Sequence, residues 1–144
     1  MTYSIPLQGP RLKVARAKRH IEEIWNTWVE HVQSDAYTKT EEISPDGTQK
    51  IHRVRVHKCI PPEFSGIIGD AAHNLRSALD QLVCELIRAN HNQPRTRSGF
   101  PVATSAKRFE EAVVSKIGGV SPKAERFIRR LKQYNGGNTP LDTP

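Results

Sequence analysis

The chain has 144 residues, of which 36% are apolar, 26% charged and 6% aromatic, with a formal net charge of +7. That length fits one domain of ordinary size, and the apolar content excludes a wholly disordered chain. No apolar run approaches the ~18 residues of a membrane span and residues 1–20 hold no apolar signal segment, so the reading is a cytoplasmic protein without a membrane partner.

From Pro10 to about Ser34, Val14, Ala17, Ile21, Ile24, Trp25, Trp28 and Val32 recur at spacings of three and four, which predicts a long amphipathic helix with these residues on one face. Pro10 suits its first turn, where a missing N–H costs nothing. Tyr37–Ile43 and Gln49–His57 read as strands, and Ser44-Pro45-Asp46-Gly47 between them carries the preferences of a type I turn. Residues 36–57 are therefore expected to form a β-hairpin, which on its own is marginal in water and must lean on the helices.

Pro61-Pro62 interrupts the chain before the strongest helical signal, from about Glu63 to Asn90. Its apolar arc contains Ile67, Ile68, Ala71, Leu75, Ala78, Leu79, Leu82, Val83 and Leu86, and this helix is expected to supply the core. His91–Ala103, with Pro94, Gly99 and Pro101, has no periodicity and reads as a loop of about a dozen residues, long for a compact domain. Ser105 is placed to cap a helix to Ile117 with Phe109, Ala112, Val113 and Ile117 inward. Ser121-Pro122 opens a last helix to about Tyr134 with Ala124, Phe127, Ile128 and Leu131 inward. The fold class is a mostly helical α+β domain over residues 1–135: long helix, hairpin, long core helix and two shorter helices. Residues 136–144 read as an unstructured tail.

Opposite the apolar arc of the core helix lies a polar stripe of Asp70, His73, Asn74, Arg76, Ser77, Asp80 and Gln81. Asp70 precedes His73 by three and Ser77 follows it by four, so contacts from carboxylate to imidazole to hydroxyl are geometrically available, as is an ion pair between Arg76 and Asp80. A carboxylate orienting an imidazole beside a hydroxyl is the arrangement of an activated nucleophile, although one smooth helix face supplies neither a strained turn nor an oxyanion hole. The bland alternative is a solvated or partner-facing stripe. His20, His31, His52, His57, His73 and His91 are scattered without ligand spacing, Cys59 and Cys84 read as reduced thiols, and no Gly-rich phosphate loop follows Gly66 and Gly69. No metal and no cofactor are expected.

The charge is uneven: residues 93–144 carry ten Lys and Arg against four Asp and Glu, a balance of +6, while residues 61–92 are at −2. Arg95, Arg97, Lys123, Arg126, Arg129 and Arg130, with Lys107 and Arg108 between them, are candidates for binding the phosphates of RNA or another nucleic acid. Their bland reading is a solvated, solubilising face. Only Phe100 and Tyr134 offer themselves as exposed stacking aromatics near these charges, so single-strand stacking finds little support in the sequence.

The stretch Ile67-Ile-Gly-Asp-Ala-Ala-His-Asn-Leu-Arg-Ser-Ala-Leu-Asp-Gln-Leu82 resembles a family of uncharacterised bacterial proteins marked by a helix reading G-D-x-x-H-N-L-R-S-A-L-D-x-L. The resemblance extends to the long first helix, to Arg53-Val-Arg-Val56 before the prolines, to Gly99-Phe-Pro101 and to Lys132-Gln-Tyr134. That family is distantly similar to HEPN-type helical bundles, several of which are metal-independent ribonucleases or RNA-binding partners. The resemblance implies a longer chain, with a further helix beyond the point where this sequence stops. HEPN ribonucleases carry Arg and His separated by four to six residues on one helix; the pairs here are closer, Arg16 with His20 and Arg53 with His57 having three residues between them and Arg88 with His91 two.

Three functions follow as expectations. The first is a non-catalytic RNA-associated or nucleic-acid-associated module using the basic residues. The second is a ribonuclease in which the His73 imidazole, set by Asp70, acts as acid and base while Arg76, beside Asp80, stabilises phosphorane charge. The third is an interaction module whose apolar faces are covered by a homo-oligomer or a protein partner.

Overall fold

Pro10 lies in the first turn of α1, which spans Gln8–Gln33 in the computed structural model describing residues 6–137. The helix stops where the Ser34 hydroxyl donates to the His31 carbonyl at 2.8 Å and Asp35 turns into the left-handed region at φ 55°. β1 (Tyr37–Ile43) and β2 (Lys50–Val56) then pair antiparallel, with Tyr37 opposite Val56 and Ile43 opposite Lys50. The turn between them closes as the sequence predicts, Gly47 N–H donating to the Ser44 carbonyl at 2.8 Å. The Asp46 carboxylate organises it further by accepting from the Ser44 hydroxyl and from the Thr48 amide and hydroxyl.

α2 spans Glu63–Ala89, and its C-terminal stop is built by His91 at φ 57°. The His91 and Asn92 amides donate back to the carbonyls of Arg88 and Ile87 at 2.9 and 3.1 Å, which satisfies carbonyls the helix would otherwise leave open. Ser105 caps α3 (Ala106–Lys116), and Ser121 caps α4 (Pro122–Arg130) with Pro122 in its first turn, both as the sequence predicts. α4 is shorter than the pattern suggests, because Lys132 at φ 45° reverses the chain before Tyr134. Among the described residues the architecture is thus four helices and one two-stranded hairpin, a mostly helical α+β fold. None of these helices is long and apolar enough to cross a membrane. Of the tail, Gly136 and Gly137 form a turn, and residues 138–144 lie outside the described residues.

Packing groups the chain into two units. One joins the described residues up to Ala15 with those from His73 onward, and holds the main core: Val83 and Ile87 of α2, Phe100, Phe109 and Val113 of α3, Ile117, Val120 and Ile128 of α4. Tyr134 packs on Phe109 with ring centroids 5.4 Å apart. Gly119, at φ 102°, closes this unit through its carbonyl, which accepts hydrogen bonds from the side-chain amides of Asn90 and Asn92; a Cβ there would meet Asn92 and Ile87 at 3.2 and 3.3 Å.

The other unit is Arg16–Ala72, the rest of α1, the hairpin and the start of α2. Its buried apolar residues are Ala17, Ala36, Phe64 and Ala71, with Trp28 edge-on to Phe64 at 6.3 Å. Here the sequence expectation fails in a specific way. Ile21, Trp25 and Trp28 belong to the predicted apolar stripe, yet all three are exposed, as are Ile43, Val54 and Val56 of the hairpin and Ile68 of α2; in the first unit Leu75 and Leu79 of α2 are exposed as well. Periodicity reports that a face is apolar and not what covers it.

Candidate functional site

α2 projects His73, Arg76, Ser77, Asp80, Gln81, Cys84, Glu85 and Arg88 along one side, and the first turn of α1, at Gln8, Gly9 and Pro10, faces them. Together they line a cleft of about 590 Å³. The close approach has a visible cause in Gly9, whose position would bring a Cβ to 2.9 Å from the Gln81 side-chain oxygen. The structure therefore places three of the four predicted catalytic residues, His73, Arg76 and Asp80, on one cleft, and leaves Asp70 outside its lining.

Arg76 and Asp80 are heavily engaged. Arg76 Nε donates to Asp80 Oδ2 at 3.1 Å, Nη2 lies 3.1 Å from Asp80 Oδ1 in the same ion pair, and Nη2 donates to the Phe100 carbonyl at 2.7 Å. Asp80 Oδ1 in turn accepts the Phe100 amide at 2.8 Å. One ion pair thus grips both backbone polar groups of the buried residue Phe100, in the loop before α3. Gly99 permits this, since a Cβ there would lie 2.7 Å from Asp80 Oδ1. The Gly99 amide also donates to the Lys116 carbonyl at 3.2 Å, so the Gly99-Phe100-Pro101 loop is fixed from two helices.

His73 is exposed and forms no hydrogen bond among the described residues. Chemically, the cleft offers an imidazole, the outer face of a guanidinium, a hydroxyl, and a thiol at Cys84, one of two free cysteines. No cluster of three or more His, Cys, Asp or Glu side chains among the described residues is placed to hold a metal ion.

The predicted nucleic-acid-binding residues are distributed over three elements of the same unit. Arg95 and Arg97 are exposed on the loop, in a turn closed by the Arg95 amide donating to the Ser98 hydroxyl at 2.8 Å. Lys107 and Arg108 open α3, and the remainder lie on α4. On α4 the cations divide. Arg129 donates to Glu125 at 2.8–2.9 Å and to Glu110, and these bonds, Glu125 first, raise its pKa above the ordinary arginine value. Lys123, Arg126 and Arg130 are exposed and have no ion-pair partner among the described residues.

The aromatic expectation is corrected. Phe100 is only 5% exposed and Tyr134 is half-buried against Phe109, so neither is a surface stacking group. The exposed aromatic is Phe127, 63% accessible, which the sequence pattern assigned to the interior. At 100° per residue it stands at the edge of the apolar face, with Lys123 and Arg130 nearest on one side and Leu131 and Ala124 on the other, while Arg126 and buried Ile128 lie further round in opposite directions. The signal was present in the narrowness of the α4 apolar face: nine residues cannot bury two wide arcs, and Ile128 occupies the buried one.

No family model, no curated protein and no solved structure matches the chain.

Proposed function

We propose that the protein is a non-catalytic nucleic-acid-binding module, with single-stranded RNA as its partner, acting through α4, the start of α3 and the loop that precedes it. The observation that carries this reading is the set Lys123, Arg126, Arg130 and Phe127: three cations without acidic partners among the described residues, on one side of one exposed ring. Each cation placed on a phosphate releases counterions, so affinity falls with salt at a log–log slope of about −0.7 per phosphate on a single strand. The ring supplies a sequence-tolerant stacking platform of about 1–3 kcal/mol per base. Arg129 is a positioning residue in this scheme, since Glu110 and Glu125 already neutralise it.

A mobility shift on a single-stranded RNA at low and moderate salt tests the reading. The Lys123→Glu, Arg126→Glu and Arg130→Glu triple variant is expected to abolish the shift and Phe127→Ala to weaken it roughly tenfold. No shift with the unmodified protein at low salt, or a shift indifferent to the triple substitution, overturns it. Cleavage of the RNA that disappears in His73→Ala would instead assign the cleft as a ribonuclease site.

A further inference from the structure

β1 is an edge strand. All seven of its residues are exposed, and among the described residues only β2 pairs with it. Open edges are templates for further strands, and natural hairpins commonly blunt them with charge. The two edges of this hairpin differ. β2 carries Lys50, Arg53 and Arg55 and no acid, whereas β1 carries Lys39, Glu41 and Glu42.

The phase of the ladder determines which backbone groups of β1 point outward. Ser44 N–H donates to the Gln49 carbonyl at 2.9 Å and His57 N–H to the Ala36 carbonyl at 2.7 Å. Residues alternate along an antiparallel ladder, so Thr38, Thr40 and Glu42 direct their amides and carbonyls toward β2. Tyr37, Lys39, Glu41 and Ile43 direct theirs away, to the open edge.

We propose that β1 pairs antiparallel with β1 of a second copy of this chain, centred on Thr40, to give a continuous four-stranded sheet. A two-fold pairing must match outward residues with outward residues, which restricts the register to a few choices. Centring on Thr40 sets Lys39 against Glu41 of the second copy twice, and Tyr37 against Ile43 twice. Shifting the centre by one residue places Lys39 against Lys39 or Glu41 against Glu41, and like charges directly opposite are unfavourable. The β2 edge has no comparable register: centring on Arg53 opposes two guanidinium groups, and the strand offers no carboxylate in any other alignment. One edge is therefore self-complementary and the other self-repelling, which makes the pairing closed and isologous rather than fibrous.

The apolar surface agrees. Tyr37, Lys39, Glu41 and Ile43 share one sheet face with Val54 and Val56, and Ile43 is 74% exposed. In the paired sheet Ile43 lies beside Tyr37 of the second copy, with Val56 of that copy next in the row. Glu41 already accepts Lys50 at 2.6 Å and His52 at 3.2 Å, and the second copy's Lys39 extends that row across the dyad.

The test is sedimentation and light scattering of the full chain over a concentration series. The unmodified protein is expected to dimerise, and Lys39→Glu and Glu41→Lys each to raise the dimer dissociation constant about tenfold or more, because each creates two like-charge pairs per dimer. An equimolar mixture of the two variants restores complementary pairs and is expected to recover the dimer, a result that misfolding of either variant would prevent. Thr40→Cys, with Cys59→Ser and Cys84→Ser, is expected to form an interchain disulfide. Opposed residues of a non-hydrogen-bonded pair have Cα atoms about 4.5 Å apart, within disulfide reach. A monomer at hundreds of micromolar, with the edge left to some foreign strand, or a dimer indifferent to both reversals, overturns the proposal.

Discussion

Asp80 accepts hydrogen bonds from Arg76 and from the Phe100 amide at the same time, and this double duty gives the carboxylate at this position of α2 a structural role. The i, i+4 spacing made the Arg76–Asp80 pair legible in the sequence. Its target was not, because Phe100 is twenty residues further on and contributes only backbone atoms, which carry no residue-type signal. Arg76 and Asp80 are themselves partly exposed, but the Phe100 amide is buried, and removing the carboxylate leaves that amide without its acceptor, which costs more than the contact is worth. Asp80→Ala is accordingly expected to lower unfolding stability by about 1–3 kcal/mol in a urea titration. His73→Ala, which breaks no hydrogen bond among the described residues, should stay within about 0.5 kcal/mol. Equal losses in the two variants would show that Asp80 does not hold the loop.

The elements divide by how local their causes are. The caps at Ser105 and Ser121-Pro122 and the turn at Ser44–Gly47 were readable because each is settled within four residues. The burial of α1 and of Phe127 was not, since an apolar stripe is a property of one element and burial a property of two. The turn also sets a pH response. Hydrogen bonds from the Ser44 hydroxyl and then from Thr48 hold the Asp46 carboxyl at about 2, below its ordinary 3.8. A carboxyl whose folded pKa is depressed stabilises the folded form above the unfolded value, and that contribution is lost as pH falls through the folded one. The Ser44 and Thr48 resonances of the folded hairpin turn are therefore expected to shift together in NMR spectra as pH falls below about 3, with a midpoint near about pH 2, and Asp46→Asn to remove the transition. A transition in that window that survives Asp46→Asn would assign it to another carboxylate.

At the scale of the molecule, burial is unequal. The large, fully buried side chains Phe109, Ile87, Val83 and Val113 all belong to the unit that includes α3 and α4, whereas Arg16–Ala72 buries three alanines and Phe64. Apolar burial contributes about 25 cal/mol per Å², and local opening is easiest where little of it must be undone. Amides of α2 from Val83 to Ile87 and of α3 are thus expected to exchange with solvent slowest, and those of the hairpin far faster. The proposed dimer would add a second pattern to the hairpin. In β1 the Thr38, Thr40 and Glu42 amides face β2 at every concentration, but those of Lys39, Glu41 and Ile43 find acceptors only in the second copy. Raising the protein concentration through the dimer range should slow exchange at the odd-numbered residues first and most, an alternation with the period of a strand. Hydrogen exchange followed residue by residue by NMR measures this directly. Slowing that is uniform along β1 would signify general stabilisation of the hairpin, and slowing confined to β2 would move the contact to the edge that its own charges disfavour. Either pattern would reject pairing through Lys39 and Glu41.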